Sequence, residues 1–368
     1  MTRRIKSGRL VSSFLAARGQ VKRLRHRPLM TTDPRVGSGG AIAQRMFQAE
    51  QAVSHGRSPF ALCCRRGSSM KRSMTKLAAA IQDGQGTGTG DNYKPWIRVT
   101  RRVSSPCSNT SVVPVPHLTR LTHYLSRAER QFALFIWWLG ATDVREQYPL
   151  WPWEHVHPAV QLGDDSQAIH PGMAKIAEQA GIPLRNYPGL SLPWILTIDL
   201  LVTVSAAVNP SRLIGVSCKP KEILDSGSPS NREIERLELD RRYCLHANIP
   251  HRVAHPELLP NELLVQLHWL APMESFIALS SLTKTSRYQK YVERLKGTAY
   301  DRPAWIASSE AGKHVGWTTQ LEQRAMRIAL WYQHVDVDLS RPVVLTRPFS
   351  PGGAELRRRE ATRWFGTT

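Results

Sequence analysis

Apolar and polar positions alternate along this chain in a few patterns that can be assigned to elements. Between 126 and 140, Phe132, Phe135, Ile136 and Leu139 recur at helical spacing. Ser126 and Glu129 stand three apart as a capping box, and Gly140 supplies a stop, so the pattern predicts a helix with one buried face. ILTIDLLVTV (195–204) and RLIGVSCKP (212–220) alternate with period 2 on either side of Asn209-Pro210 and predict an antiparallel hairpin. REIERLELDRRYCLHA (232–247) predicts a strongly charged helix capped by Ser230 or Asn231. Downstream, PNELLVQLHWLA, residues 274–298 and TTQLEQRAMRIALWYQH (318–334) carry helical periods. In the last of these, Thr319 and Glu322 form a second capping box, with Leu321, Ala325, Ile328 and Tyr332 on the buried side. VDVDLSRPVVLTRPF (335–349) reads as two short strands around a Ser-Arg-Pro turn. Shorter helices are expected at MTKLAAAIQ (74–82) and around 172–180.

Before residue 74 no period is sustained. Residues 1–73 are rich in Arg, Ser and Gly and read as a basic, mostly disordered extension. GQGTGTGDNYKPW (84–96) reads as a flexible glycine-rich lead ending on an aromatic anchor, with ordered structure beginning near Tyr93. The expected organisation is therefore an extension over 1–92, an α/β domain over 93–250, a mostly helical winged-helix-like domain over 251–350, and a basic tail over 351–368.

Composition changes this picture in two respects. The 368 residues carry a formal charge of +21, which points to a polyanionic partner, nucleic acid first and acidic membrane second. The surplus is uneven, because residues 1–73 hold 16 Lys and Arg against Asp33 and Glu50 only. The body of the protein is thus much less basic than the total suggests. The five cysteines, Cys63, Cys64, Cys107, Cys218 and Cys244, contain no CxxC pair and support neither a disulfide framework nor a zinc site, so a reducing cytoplasm is the expected setting. No uninterrupted apolar span of 18 residues occurs; LPWILTIDLLVTVSAAV contains Asp199.

The hairpin holds the clearest chemistry. Asp199 lies in one strand and Lys219 near the end of the next, while Ser217 and Lys219, two apart, share a strand face. A carboxylate facing a lysine on the neighbouring strand suits magnesium-dependent phosphodiester hydrolysis. The acid would hold the ion, a main-chain carbonyl could add a ligand, and the lysine would orient or deprotonate the attacking water. Glu129, from the preceding helix, would complete the metal site. Each residue also has a plainer reading: Glu129 as a helix cap, and Asp199 with Lys219 as a structural pair that spares a buried acid its desolvation cost. His155 and His157 in EHVHP could face one metal but lack acidic company, and Glu233, Glu235 and Glu238 read as a solvated face from which one acid could reach the hairpin. No Walker A, dinucleotide fingerprint or nucleophile elbow is present. ATDVREQYPLWPW (141–153) places Asp143, Arg145 and Glu146 between an apolar helix and a proline-aromatic turn, either as a salt-bridged connector or as the edge of a charged site.

Taken in order, these segments resemble the TnsA family, the endonuclease subunit of heteromeric Tn-seven-like transposases. GQGTGTGDNYKPW, LSRAERQFALFIWW, DVREQYPL, TIDLLV with GVSCKP, and ERLELDRRYC carry the resemblance, which covers residues 74–250 best. It implies a restriction-endonuclease-like (PD-(D/E)xK) mixed-sheet fold, a winged-helix domain after it, and Mg²⁺-dependent cleavage at the 5′ ends of a transposon with one or two ions. It implies Glu129 and Asp199 as metal ligands with the Ser217 main-chain carbonyl, Lys219 as the catalytic lysine, and Arg145, Glu146 and Glu235 near the site or the DNA. The implied partners are transposon-end DNA, a TnsB-like transposase and a TnsC-like AAA+ ATPase, with no membrane, in a bacterial cytoplasm. Ser217 stands where the family often has Gln, and Cys244 where it more often has Trp. Family members begin just before the glycine-rich segment, here Met70 or Met74, so residues 1–73 are either an over-called start or a DNA-binding arm. Two rivals remain: a stand-alone restriction or repair nuclease of the same fold, and a non-catalytic DNA-binding or adaptor subunit.

Overall fold

The computed structural model describes residues 68–100, 109–162, 168–205, 212–219, 231–272 and 276–366. Before the sheet come α1 (Ser68–Gln82) and two short paired strands, β1 (Ser111–Val113) and β2 (Thr122–Tyr124). Next are α2 (Arg127–Leu139), β3 (Asp143–Leu150), the two-residue strands β4 (His155–Val156) and β5 (Ile169–His170), and α3 (Met173–Ala180). The hairpin follows as β6 (Leu196–Val204) and β7 (Arg212–Cys218), then α4 (Asn231–His246) and β8 (His251–Ala254). The remaining elements are helical: α5 (Asn261–Leu270), α6 (Phe276–Thr283), α7 (Ser286–Lys296), α8 (Ala304–His314), α9 (Thr319–Trp331) and α10 (Gly353–Phe365).

The central sheet has the order β3-β6-β7-β8. β3, β6 and β7 run antiparallel and β8 joins β7 in parallel, reached through the α4 crossover. The hairpin thus forms as its alternation predicts, with Leu200 opposite Val216 and Val204 opposite Arg212. α2 covers one face, where Phe132, Phe135 and Ile136 share a core with Leu200, Val202, Ile214 and Val216. α3 and α4 cover the other, around Tyr148, Leu150, Ile198, Leu213 and Tyr243. Both predicted ends of α2 are present. The Ser126 hydroxyl accepts from the Glu129 amide, and Gly140, at φ 104°, returns its amide to the Ile136 and Trp137 carbonyls.

β3 breaks the simple rule of alternation. All eight residues of DVREQYPL are buried, four of them charged or amide side chains. Edge strands expose backbone unless covered, and the glycine-rich segment does the covering. Gly90 donates its amide to Asp143 Oδ2 at 2.9 Å, Trp96 donates its own to the Gln147 carbonyl at 3.3 Å, and the Tyr93 hydroxyl donates to the Glu146 carbonyl at 2.9 Å. Gly86 lies so close to β3 that a Cβ there would stand 2.4 Å from the Pro149 side chain, and its φ of 84° also favours glycine. Residues 84–96 are therefore a fitted edge cover. Described structure begins at Ser68, well before Tyr93, and the residues before it, including the basic extension with Cys63 and Cys64, lie outside the description, as does Cys107.

Three expectations for the C-terminal part are corrected. Residues 335–349 contain no strand, so the described chain has no wing hairpin there. Side chains and the neighbouring helix take the backbone bonds a ladder would use: Asp338 accepts from Ser340, Asp336 accepts from the Gly352 and Ala354 amides, and the Leu345 and Arg347 carbonyls accept from the first turn of α8. The cap of α9 is Thr318 rather than Thr319; Glu322 turns inward to the Ser308 hydroxyl instead of closing a capping box. Residues 353–365 form a helix, not a tail. Trp364 sits edge-on to Phe132 at 4.6 Å, tying α10 to α2. One core accordingly runs from β6 and β7 through α2 to Leu263, Tyr291, Trp331 and Trp364.

Candidate active site

The site begins where the sheet stops pairing. The β6–β7 ladder ends at Leu200 opposite Val216. One residue further, Asp199 takes over with its side chain: Oδ2 accepts the Cys218 amide at 2.7 Å and the Lys219 ammonium at 3.4 Å. Lys219 also donates to the Cys218 carbonyl at 3.3 Å. Across the sheet, the ladder between β3 and β6 omits Gln147, which would face Asp199 and instead has a left-handed φ of 50°.

Glu129 approaches from the first turn of α2. Its Oε1 accepts from the Ser126 hydroxyl, and its Oε2 from the Leu125 amide and the Gln147 amide group, all at 2.9 Å. The same carboxylate thus reaches back over the start of α2, to the Leu125 amide and the Ser126 hydroxyl, and across to Gln147 of β3. Burial, reinforced by the charge of Asp199 and opposed by Lys219, pushes Glu129 up to about 7. Asp199 is raised too, chiefly by burial, with Lys219 opposing and Asp240 adding to the rise. Two acids and one ammonium group therefore lie within electrostatic reach of one another.

The donor set can be examined for a hard divalent ion. A carboxylate offers about four lone-pair positions. Protein donors fill both on Asp199 Oδ2 and both on Glu129 Oε2, and one on Glu129 Oε1. Asp199 Oδ1 and the rest of Glu129 Oε1 are left for another partner. Among the described residues no group of three His, Cys, Asp or Glu could enclose a metal. Mg²⁺ does not require one, because it keeps several waters and is commonly held by one or two carboxylates plus substrate phosphate. The residues present fit that mode.

Other expected residues fall elsewhere. Gly215 and Lys219 donate their amides toward β8, to the Pro250 and Ala254 carbonyls. Strand alternation aims the Ser217 main chain the same way, away from Asp199. The main-chain oxygen on the Asp199 side is that of Cys218, not Ser217. The Ser217 hydroxyl is committed to Asp240 Oδ2 and to His251 Nε2, both at 2.9 Å. Glu146 is clamped by Arg120 through two bonds of 2.7 and 2.9 Å and accepts the His123 amide. Arg145 lies 3.9 Å from Asp143 and over the Tyr148 ring. The DVREQYPL segment is thus a salt-bridged connector at Glu146 and part of the site at Gln147. Glu235 is half-buried, while the α4 acid that reaches the hairpin is Asp240, paired with Arg236 at 2.8 Å.

Two participants escaped sequence reasoning. Asp240 had a signal, since it interrupts the buried stripe of Leu239, Tyr243 and Cys244. Gln147 had none beyond its place in DVREQYPL. His155 and His157 are structural: His155 bridges the Trp153 carbonyl and the Tyr243 hydroxyl, and His157 contacts the Ala247 carbonyl.

Fold and site define an α/β protein in which a half-buried aspartate and a lysine of the mixed sheet lie beside a buried glutamate of the covering helix. No protein-family model matches the chain. Over 181 residues it is 28% identical to the Transposon Tn7 transposition protein TnsA of Escherichia coli, a stretch covering 48% of this chain and 55% of that protein. The chain thus spans about half the length of the curated relative it matches, and the similarity is distant. No helix among the described residues is long and apolar enough to cross a membrane.

Proposed function

We propose that this chain is a Mg²⁺-dependent DNA endonuclease with a restriction-endonuclease-like core. It would cut the 5′ ends of a Tn-seven-like transposon alongside TnsB-like and TnsC-like partners. The observation that carries the reading is the interception of the Cys218 amide by Asp199, beside Lys219 and within reach of Glu129. Distant similarity to a Tn7 transposition protein supports the same class.

Glu129 and Asp199 would hold the ion, with the Cys218 carbonyl beside them. Bound there, the ion would supply charge neutralisation at the scissile phosphate and a more acidic water. Lys219 directs two contacts at Asp199 and Cys218, which leaves a third N–H for a phosphate oxygen or the attacking water. Its fixed charge opposes the negative charge that develops on the phosphate oxygens. Desolvation, which raises both carboxylates, makes a cation beside them favourable.

The test is strand cleavage of end-labelled transposon-end DNA by the full chain with its partner subunits in Mg²⁺. Asp199→Ala and Lys219→Ala should each lower 5′-strand cutting by roughly 10² or more, the scale of losing one charge-stabilising group. Wild-type cutting and transposition by both variants would instead indicate an adaptor. Full cutting by the chain alone would indicate a stand-alone nuclease.

A further inference from the structure

We infer that Gln147 is the positioning residue that sets Glu129 for metal binding; this rests on the reading above. Gln147 is fully buried in β3, yet its φ is 50°. A non-glycine residue in that region is strained and persists only where its surroundings fix it. The surroundings here are specific. Its amide nitrogen donates to Glu129 Oε2 at 2.9 Å, its amide oxygen accepts from the Thr197 hydroxyl at 2.9 Å, and its carbonyl accepts from the Trp96 amide at 3.3 Å.

The left-handed turn decides where the side chain goes. In an unbroken strand Val144, Tyr148 and Leu150 would share one face. Here Val144 packs in the core beneath α2, whereas Tyr148 and Leu150 pack in the core beneath α3 and α4. The pleat is reversed at Gln147, and the reversal brings its amide to the α2 side, where Glu129 is. Without it, alternation would point Gln147 away from Glu129. The chemistry also fixes which end of the amide faces which partner: an ionised Glu129, the form that would bind a metal, only accepts, so the NH₂ faces Glu129 and the oxygen is left for Thr197. By filling Oε2, Gln147 and the Leu125 amide leave Oε1 as the oxygen of Glu129 with an open position. The chain thus uses a strained strand residue, seated on Thr197, to choose the oxygen offered to the ion.

Gln147→Met removes both side-chain bonds at similar volume. The Mg²⁺ concentration for half-maximal cleavage of transposon-end DNA should rise at least tenfold, while affinity for the same DNA in EDTA stays within twofold. Titrating Mg²⁺ against thermal unfolding of the full chain without DNA should show the same displacement. Thr197→Val, which frees the amide without touching Glu129, should move both midpoints in the same direction by less, and it carries the test if Gln147→Met does not fold. Unchanged Mg²⁺ midpoints, even with a lower melting temperature, would reduce Gln147 to a structural role and overturn the inference. Glu129→Ala and Asp199→Ala separate the two claims. If they cut normally, the nuclease reading fails; if they are inactive while Gln147→Met titrates like wild type, only this inference fails.

Discussion

Two buried carboxylates, Glu129 and Glu146, and a half-buried one, Asp199, show three different solutions to the same desolvation problem. Glu146 is neutralised by Arg120 with two hydrogen bonds. Asp199 shares Lys219 and takes a backbone amide, and Glu129 has neutral donors only. The first is closed by its partner, whereas the other two keep open positions beside a cation. Breaking the closed pair should be costly, because it strands a buried charge. Arg120→Met is expected to destabilise the fold by about 3–5 kcal/mol, and Arg120→Met with Glu146→Leu to recover part of that loss. Chemical denaturation of both variants measures the difference, and equal losses would show that the ion pair is not the cause. At the other end of the scale, Ser126→Ala should cost about 1 kcal/mol through the lost cap of α2.

At the scale of elements, the paired strands β4 and β5 bring the rings of His155 and His170 within 4.9 Å of each other, with His155 stacked on Tyr243 and His170 tilted against it. Burial holds His155 down to about 4 and His170 to about 3. Both fold as neutral rings while the unfolded chain takes up protons near 6.5. Their stabilising contribution is therefore complete above that pH and is lost as pH falls through 6.5 toward 3–4. Thermal unfolding followed from pH 7.5 to 5 should show a falling melting temperature, and His170→Asn should flatten that fall; an unchanged slope would contradict the assignment. The same scale shows what the sequence could reveal. The α2 helix, the β6–β7 hairpin and the charged α4 were legible because their periods agree with tertiary placement, and α2 also because its caps do. β3 was not legible as a fully buried strand, because its polar residues are satisfied by Arg120, Glu129 and the 84–96 segment, all distant in sequence. The strands expected at 335–349 failed for the opposite reason: local acceptors on Asp336 and Asp338 outcompete a ladder. Of the candidate site, the proximity of Asp199 to Lys219 was legible from residue type and strand spacing, and Glu129 from its place at the start of the preceding helix. Gln147 was not, since its role comes from one reversed pleat that no periodicity encodes.

For the described molecule, the catalytic candidates and the C-terminal helices share a core, so the site depends on residues far from it in sequence. α2 carries Glu129 on its first turn and is braced by Trp364 of α10. Trp364→Ala should cost about 3–5 kcal/mol and should weaken Mg²⁺ binding as the bracing of α2 loosens. A melting curve and a Mg²⁺ titration on the same sample check both effects. The central claim is that Glu129 and Asp199 hold a divalent ion beside Lys219, and it is tested most directly by an anomalous difference map from crystals grown with Mn²⁺. A peak contacting Asp199 Oδ1 and Glu129 Oε1, absent from Asp199→Ala crystals, is the expected result. An empty site at saturating Mn²⁺, or a peak held by other residues, would contradict the account.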